Sequence, residues 1–303
     1  MGYRHFPAGA GGVEGRHRPF EMEIRNPLMQ LELSERDYTD LSNLIYEKCG
    51  IYLHKGKREL LRARLAKVLR KHDFASVREY YSHLVGDQTG KELIQLLDSI
   101  STNLTFFFRE PKHFDFLTST AIPKLIRAKR TVAGKRLNLW CAGCSSGEEA
   151  YSIGITLLEK LSGSNLREVS ILATDISTRM LNVAIRGVYG EEKVEKISYE
   201  LRRRYFQKGV KNWEGFYRVK PALREAIEFR RLNLVEPFSF NTPFDIIFCR
   251  NVMIYFDKPT QEKLVNRFYN VLSKEGYFLI GHSESLTGIG HSFRYVQPSI
   301  YAK

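Results

Sequence analysis

Residues 137–155 read Leu-Asn-Leu-Trp-Cys-Ala-Gly-Cys-Ser-Ser-Gly-Glu-Glu-Ala-Tyr-Ser-Ile-Gly-Ile, and this stretch decides the fold. Its first five residues form a largely apolar run that predicts a buried strand, and Gly143 and Gly147 then bracket a tight loop. Apolar residues at helical spacing from Ala150 onward predict a helix after the loop. A strand, a glycine loop and a helix open a nucleotide-binding α/β sheet, whose ligands bind at the carboxyl ends of the strands.

The residues of this loop narrow the choice of ligand. The loop lacks the G-x-G-x-x-G pattern of dinucleotide sites and the lysine of a phosphate-binding P-loop. It places Glu148 and Glu149 at the start of the helix, where a bound phosphate would be repelled. This favours a cationic nucleoside without phosphate, and S-adenosylmethionine has that chemistry. The alternative is a capping box, Ser145 with Glu148 or Ser146 with Glu149, that also benefits from the helix dipole.

The composition indicates a water-soluble globular protein of one or two domains, because the 303 residues are 43% hydrophobic and 27% charged. No apolar run reaches about 18 residues, so we expect no membrane span or direct membrane insertion. The first residues do not resemble a signal peptide, and four cysteines are too few for a disulfide scaffold, which favours a cytoplasmic location. Cys141 and Cys144 have the spacing of a metal-binding pair, but without a second pair we expect no metal site.

The formal net charge of +13 predicts an acidic partner. The most basic segment, residues 55–71, sets eight cations against the single acid Glu59 and carries a stripe of apolar residues at helical spacing. We interpret its charged face, with Arg58, Arg62 and Lys67, as a docking surface for an acidic partner; the alternative is an ordinary solvated face. The segment has no aromatic residues, which argues against stacking on single-stranded nucleic acid.

The order of predicted elements divides the chain into four parts. We expect a disordered tail at residues 1–30, a helical domain at 31–110, a linker helix and basic connector at 111–136, and the α/β domain at 137–303. Strands at 169–174, 227–232, 244–249 and 277–280 continue the sheet, and an antiparallel ribbon at 293–297 and 299–302 closes it. A helix from Asp257 is expected to stop at Gly276. The stretch 186–226 is long for a crossover, so we predict an inserted β-subdomain at about 190–224 for partner binding.

Two further features point to the ligand. Asp175 ends the second strand, where a carboxylate can accept both ribose hydroxyls; the alternative is a buried helix cap. In residues 103–111, three adjacent phenylalanines are flanked by Asn103, Thr105 and Arg109. This pattern predicts a lid over the ligand, and the alternative is that the aromatic rings only pin a helix to the sheet.

Together these segments resemble the chemotaxis receptor methyltransferases, the CheR family, over residues 31–303. The resemblance rests on Asn103-x-Thr105-x-Phe-x-Arg109, Gly147-Glu-Glu-Ala-Tyr-Ser-Ile153, Asp175-Ile-Ser177, Cys249-Arg-Asn-Val-Met-Ile-Tyr-Phe-Asp257 and Gly281-His-Ser-Glu284. It implies a class I S-adenosylmethionine-dependent methyltransferase fold: a Rossmann-like α/β sheet with an N-terminal all-α domain and a small inserted antiparallel β-subdomain. The implied reaction moves a methyl group from S-adenosylmethionine to receptor glutamates, which leaves glutamyl methyl esters and S-adenosylhomocysteine and serves chemotactic adaptation.

The resemblance also implies roles for single residues. Arg109 and Tyr255 match residues near the transferred methyl group. The implied cofactor-binding positions are Asn103, Thr105, Arg109, Glu149, Asp175, Asn233, Leu234, Arg250 and Asn251, and Gly143 of the glycine loop completes the predicted site. The helical domain would face the cytoplasmic domain of the receptor, and we expect a monomer. The β-subdomain matches a tether for a receptor C-terminal pentapeptide, but Lys211 stands where a further glycine is typical, so we predict weak or absent peptide binding.

The chemistry of the residues agrees with a carboxylate substrate. A glutamate is already ionised at neutral pH, with a reference pKa of ~4.3, so its methylation needs no strong general base. The sequence shows no obvious Ser/His/Asp or Cys/His set, and catalysis would rest on in-line placement of the carboxylate. One rival is a nucleic-acid methyltransferase, but Arg250-Asn-Val-Met253 stands where such enzymes carry Asn/Asp-Pro-Pro-aromatic, so we expect no nucleic-acid partner. A second rival is a regulator that binds the nucleoside without turnover.

Overall fold

The computed structural model describes residues 31–100, 103–130, 136–161 and 169–303. The predicted tail at 1–30 and most of the basic connector lie outside the described residues. The first described helices are α1 (Glu35–Cys49), α2 (Arg58–Lys71), α3 (Val77–Gly86) and α4 (Lys91–Ile100). Ser34 caps α1 by accepting the N–H of Asp37 at 3.0 Å, and Gly50 ends it at φ +68°. The four helices enclose a core of their own, in which Leu41, Leu65 and Tyr80 are fully buried.

A helical connection leads from this part to the sheet. It consists of α5 (Pro111–Phe116), a π-helical turn (Leu117–Ala121) and α6 (Ile122–Arg130). Leu117 and Ile122 have no exposed surface because they pack against the same core as α7 (Glu148–Lys160). The connection therefore covers one face of the sheet. Among the described residues, none of the helices combines the length and the apolar character needed to span a bilayer.

The described residues form a seven-stranded sheet in the order β6-β2-β1-β7-β8-β10-β9. The strands are β1 (Leu137–Ala142), β2 (Val169–Asp175), β6 (Ile227–Arg231), β7 (Phe244–Cys249), β8 (Leu272–Ile280), β9 (Arg294–Gln297) and β10 (Ile300–Ala302). The first five strands in that order are parallel, and β10 pairs antiparallel with both β8 and β9. The predicted α/β sheet with a closing antiparallel ribbon is therefore confirmed.

Each face of the sheet has its own apolar core. One core lies under α5, α6 and α7, and the other lies under α12 (Lys258–Val271). Trp140 on β1 is fully buried in the second core, where its ring contacts Phe244 and Phe268 and its Nε1 donates a hydrogen bond to Oγ1 of Thr174 at 2.9 Å. The centre of the sheet is thus fixed by packing on both sides.

The inserted β-subdomain is present but begins slightly earlier than predicted. It is a three-stranded antiparallel sheet in the order β3-β5-β4, formed by β3 (Val188–Gly190), β4 (Phe206–Lys208) and β5 (Phe216–Val219). Four short helices precede, separate or follow these strands: α8 (Thr178–Arg186), α9 (Glu191–Val194), α10 (Tyr199–Tyr205) and α11 (Pro221–Glu225). The hairpin of β4 and β5 therefore gains a third strand, β3, from the residues that directly follow α8.

The expected stop of α12 at Gly276 is wrong. The helix ends at Val271, and both Leu272 and Gly276 belong to β8. A Cβ atom on residue 276 would lie 2.6 Å from Cγ of Leu272, whose side chain is buried in the second core. Glycine at this position therefore makes room for Leu272 within a strand.

Candidate cofactor-binding and active site

Polar residues from several strand ends meet in one pocket at the carboxyl edge of the sheet. Ala142 of β1 lies beside Thr174 of β2, so the segments after these strands are neighbours. The pocket encloses about 900 Å³ of space, part of it open to solvent. Every predicted cofactor-binding or catalytic residue lines it: Asn103, Thr105, Arg109, Gly143, Glu149, Asp175, Asn233, Leu234, Arg250, Asn251 and Tyr255.

The glycine loop is shaped by backbone that favours glycine. Gly143 has φ +80°, and a Cβ atom there would collide with the side chain of Val252. Gly147, at φ +96°, occupies the N-cap position of α7, where no side chain caps the helix. The capping box considered from the sequence is therefore wrong, and Ser146 instead donates to Oε2 of Glu148 at 2.6 Å.

The two glutamates that follow the loop have different surroundings. Glu148 is fully buried, does not line the pocket and forms an ion pair with Nζ of Lys193 at 3.0 Å. Glu149 lines the pocket and accepts a hydrogen bond from Nη1 of Arg250 at 2.7 Å. Of these two glutamates, only Glu149 therefore presents a carboxylate to a ligand, and Glu148 has a structural role.

Asp175 organises the loop as well as lining the pocket. Its Oδ2 accepts the N–H of Ser145 at 2.8 Å, and its Oδ1 accepts the N–H of Ser177 at 2.9 Å. The interpretation of Asp175 as a helix cap is wrong, because Ser177 caps α8. Burial raises the pKa of Asp175, although both backbone N–H groups act in the opposite direction. The carboxylate is thus held firmly at the edge of the pocket.

The segment before α5 combines the two roles considered from the sequence. Phe107 is buried and packs edge-on against Tyr189 and Phe206 of the β-subdomain. Its neighbours Asn103 and Arg109 line the pocket instead. Phe107 therefore anchors the segment, while the polar residues on either side of the three phenylalanines line the ligand site.

Two buried donors in the pocket fit a ligand that carries a carboxylate. Within the described part of the chain, Nδ2 of Asn103 and Nε of Arg250 are buried without a hydrogen-bond partner. Buried polar atoms are normally hydrogen-bonded, so these donors require acceptors from a ligand or from water. S-adenosylmethionine has a carboxylate to accept from such donors, and its amino group and ribose hydroxyls suit Glu149 and Asp175.

Arg250 lies at the centre of a buried ionic network. Its side chain is fully buried, and it pairs with Glu149 at 2.7 Å and with Oε2 of Glu110 at 3.0 Å. It also donates to the carbonyl oxygen of Arg109 at 2.5 Å. Burial alone would raise the pKa of Glu110, but Arg250 and the N–H of His282 outweigh it and hold that pKa below the usual range. The network ties the segment before α5 to the end of β7.

Three residues beside this network were not predicted as site residues: Glu110, His113 and His282. His113 is 1% exposed, and burial followed by the charge of Arg250 lowers its pKa to about 3. Its ring lies edge-on to the ring of His282, with 5.0 Å between the centroids. Glu110 and His282 lie within stretches that the sequence did single out, 103–111 and Gly281–Glu284, but only the fold brings them together.

Glu284 shapes the far wall of the pocket. Its carboxylate accepts the N–H groups of Gly281, Asn251 and Val252 at 2.6–3.0 Å. These bonds hold Asn251 at φ +60°, a conformation that is uncommon outside glycine. Burial raises the pKa of Glu284. The Gly281–Glu284 motif therefore supports the pocket through backbone contacts.

The helical part of the chain completes the pocket. Cys49 and Ile51 line it, and the N–H of Tyr52 donates to the carbonyl oxygen of Tyr255 at 2.8 Å. Nδ2 of Asn233 donates to the carbonyl oxygen of Lys48 at 2.8 Å, so this side chain is already engaged by α1. The position of Tyr255 therefore depends on the segment that follows α1.

The basic helix α2 is less unbalanced than its sequence indicates. Arg58 pairs with Glu35 of α1 and donates to the carbonyl oxygen of Leu33, and Arg62 pairs with Glu59 at 2.9 Å. Lys67 is exposed. Acidic residues from α1 thus engage one of the three predicted docking residues, which sequence counting along α2 alone could not reveal.

The loop of the β-subdomain is closed by a short helical turn. Lys211 begins a 3₁₀ turn (Lys211–Trp213) at φ +54°, and Trp213 is 60% exposed. The ring of Trp213 packs edge-on against Phe216 of β5 with centroids 6.0 Å apart. A groove beside these rings is also lined by Arg186 and Arg218.

Comparison with known proteins gives matches over both parts of the chain. The protein-family model for the CheR methyltransferase, SAM binding domain, matches residues 103–302, and the family model for the CheR methyltransferase, all-alpha domain, matches residues 36–101. The chemotaxis protein methyltransferase of Borreliella burgdorferi is 38% identical over 91% of this chain and 96% of that protein. Chemotaxis protein methyltransferase 2 of Pseudomonas aeruginosa is 39% identical over 90% and 95%, and the chemotaxis protein methyltransferase of Escherichia coli is 35% identical over 90% and 92%.

Proposed function

Because this chain belongs to the CheR family of methyltransferases, we propose that it transfers a methyl group from S-adenosylmethionine to glutamate carboxylates of chemotaxis receptors. The observation that carries the proposal is the pocket at the carboxyl edge of the sheet, which collects every residue assigned by family resemblance to the cofactor and the methyl group. The products are glutamyl methyl esters and S-adenosylhomocysteine.

The proposed chemistry asks little of the protein beyond binding and alignment. When bound, S-adenosylmethionine supplies a methyl group on a cationic sulfur that a carboxylate oxygen can attack. The substrate glutamate is ionised at neutral pH, with a reference pKa of ~4.3, so no side chain has to remove a proton. Arg109 would attract the incoming carboxylate, and Tyr255, held by the N–H of Tyr52, would orient it. Such alignment is a large source of catalysis in displacement reactions.

Different residues of the pocket are proposed to bind different parts of the cofactor. Asp175 would accept the ribose hydroxyls, and Glu149 would accept the amino group of the methionine part. Asn103 and Arg250 would donate to its carboxylate, since each has a buried donor without a partner among the described residues. Leu234 would supply an apolar wall, with Gly143, Thr105, Asn233 and Asn251 completing the site.

The helical part is proposed to face the receptor. The receptor region that carries unmethylated glutamates is acidic, and Arg62 and Lys67 on α2 would attract it. Arg58 would contribute by fixing α2 against α1 through Glu35, rather than by direct contact. Each methylation removes one negative charge, so attraction weakens as modification proceeds. The protein is proposed to act as a monomer in the cytoplasm.

Tethering by a receptor C-terminal pentapeptide is proposed to be weak or absent. A peptide would add as a strand to the edge of the β-subdomain sheet. Lys211 adopts φ +54°, and the adjoining Trp213 projects into solvent beside the groove. Titration of the free pentapeptide tests this point, and a Kd of a few micromolar, about −7 to −8 kcal/mol, would contradict it.

The function is tested by incubating the chain with receptor-containing membranes and methyl-labelled S-adenosylmethionine. Label should appear in the receptor and be released as methanol by mild base, because carboxylate methyl esters are base-labile. Titration calorimetry with S-adenosylhomocysteine is the parallel measurement. Cofactor binding without receptor labelling would support the regulator instead, and labelling of added nucleic acid would support the nucleic-acid enzyme.

A further inference from the structure

Three side chains of the kind that bind metal ions meet beside Arg250. Glu110, His113 and His282 each offer one ligand atom, and these atoms lie within 4.8 Å of one another. Oε2 of Glu110 is 3.4 Å from Nδ1 of His113 and 3.8 Å from Nε2 of His282. Ligand atoms on a tetrahedral zinc ion are about 3.4 Å apart, because each lies about 2.0–2.1 Å from the metal. The two distances from Glu110 are therefore close to this value.

His113 gives an independent indication that something is bound here. Its ring is 1% exposed, and in the described chain neither ring nitrogen has a hydrogen-bond partner. The contact of its Nδ1 with Glu110 is close but lacks the geometry of a hydrogen bond. Buried polar atoms are normally satisfied. Neutral imidazole is the commonest metal ligand in proteins.

The charges around the cluster act in both directions. Arg250 is one guanidinium between two carboxylates, those of Glu149 and Glu110. Besides burial, its charge also lowers the pKa of His113 and therefore opposes a second cation beside that ring. A metal ion would have to compete with Arg250 for the carboxylate of Glu110.

We propose that Glu110, His113 and His282 form a binding site for a divalent transition-metal ion, with zinc as the best match. Two imidazoles and one carboxylate suit zinc and its neighbours, whereas magnesium and calcium prefer oxygen ligands. The His282 side chain is 45% exposed, so an ion can enter from that side and keep a water molecule as its fourth ligand. No ligand comes from the Cys141 and Cys144 pair, which is buried.

The site is coupled to the cofactor pocket through Arg250. The metal would share Oε2 of Glu110 with Arg250, which lines the pocket and binds the carbonyl oxygen of Arg109. It would also add positive charge next to a pocket that, by the proposed function, binds a cationic cofactor. Zinc should therefore weaken the binding of S-adenosylmethionine more than that of S-adenosylhomocysteine, whose sulfur is uncharged.

The first test is titration of the full chain with zinc ions in competition with a metal indicator. The native protein should bind zinc, and His282→Asn should weaken the site by about tenfold or more, since even residues behind metal ligands carry effects of that size. His282 is partly exposed, so this variant should fold, and a melting curve checks it. His72→Asn, at an exposed histidine after α2, is the matched control and should bind zinc like the native chain. Equal zinc affinity in both variants would overturn the proposal.

X-ray absorption at the zinc edge identifies the ligands directly. Nitrogen and oxygen neighbours at about 2.0–2.1 Å are expected, and sulfur at about 2.3 Å would show that cysteines bind the ion and would overturn the proposal. Cofactor titrations with and without zinc then test the coupling: an equal effect on both cofactors would refute it. Failure to bind either cofactor would count against the proposed function, whereas the zinc measurements judge the metal site separately.

Discussion

Replacement of Asp175 by asparagine tests the cofactor site most sharply. The native carboxylate accepts two backbone N–H groups, those of Ser145 and Ser177, and still lines the pocket. The asparagine side chain would keep one carbonyl oxygen and would turn an amide N–H₂ toward a donor or toward the ligand. The variant therefore removes a charged acceptor without creating a cavity.

The expected loss of affinity follows from the free energy that one hydrogen bond to a carboxylate contributes. A hydrogen bond to a charged acceptor contributes about 1.5–3 kcal/mol. Loss of one bond to the ribose would raise the Kd for S-adenosylhomocysteine by about 10- to 150-fold, since about 1.4 kcal/mol corresponds to a factor of ten. Loss of the bond to Ser145 would loosen the glycine loop and add to this effect.

Titration calorimetry with S-adenosylhomocysteine measures the change, and Asp245→Asn is the matched control. Asp245 is also a buried aspartate of the sheet that accepts a backbone N–H, from Asn138 at 2.8 Å, but it lies at the opposite end of the strands. The control should lose stability and keep its cofactor affinity. Unchanged affinity in a folded Asp175→Asn protein would refute the assignment of the ribose to this carboxylate.

The pH dependence of binding should carry the same signature. Because burial raises the pKa of Asp175, its carboxylate gains a proton at a higher pH than an ordinary aspartate. Cofactor affinity should therefore begin to fall at a higher pH than an ordinary aspartate would cause, and the Asp175→Asn variant should lose this component of the pH profile. An identical profile in both proteins would contradict the reasoning.

Three other predictions concern the loop, the chemistry and the docking surface. Gly143→Ala should weaken cofactor binding because the new Cβ atom would collide with the side chain of Val252. Gly288 has a similar φ but lies in open space, so Gly288→Ala should lower the stability in melting experiments only by the backbone strain, about 1–2 kcal/mol. Equal effects of the two substitutions would exclude the collision as the cause. Tyr255→Phe should lower kcat for methyl transfer while the Kd for S-adenosylhomocysteine stays constant, and an unchanged kcat would remove Tyr255 from the reaction. The double variant Arg62→Glu with Lys67→Glu should raise KM for the receptor. The activity of the native protein should fall as salt is added, since exposed charges are screened beyond about 10 Å at 0.1 M ionic strength. If receptor methylation changed in neither experiment, α2 would be only a solvated face.

The pocket could be predicted from the sequence because its residues follow strands. Gly143, Asp175 and Arg250 lie at or directly after the ends of β1, β2 and β7, and the carboxyl ends of parallel strands share one edge of a sheet. Knowing the strands is therefore enough to place these side chains near one another. The same logic placed the inserted subdomain, since residues 186–226 interrupt the alternation of strands and helices.

Other features depended on contacts that no local pattern contains. Glu148 and Glu149 are adjacent in the sequence, and only the position of Lys193 decides that the first is a structural ion pair. The pairing of Arg58 with Glu35 joins two helices, so a charge count along α2 overstated its free positive charge. Glu110 and His282 are 172 residues apart and meet through the packing of α5 against the end of β8.

The contacts of residues 48–52 with the α/β domain, including the hydrogen bond from the N–H of Tyr52 to the carbonyl oxygen of Tyr255, limit where the chain can be cut and rejoined in protein engineering. If the helical part faces the receptor as proposed, chimeras that exchange this part between relatives would redirect the enzyme to another receptor. A graft that starts at residue 35 would replace the carbonyl of Lys48 that binds Asn233, the pocket residues Cys49 and Ile51, and the strand-like contact of Ile51 with Phe256. A graft limited to residues 58–100 would retain all of these contacts while replacing the whole basic helix. The better first crossover point therefore lies after residues 48–52, inside the helical part, and Asp98 would be kept because it contacts Arg179 of α8.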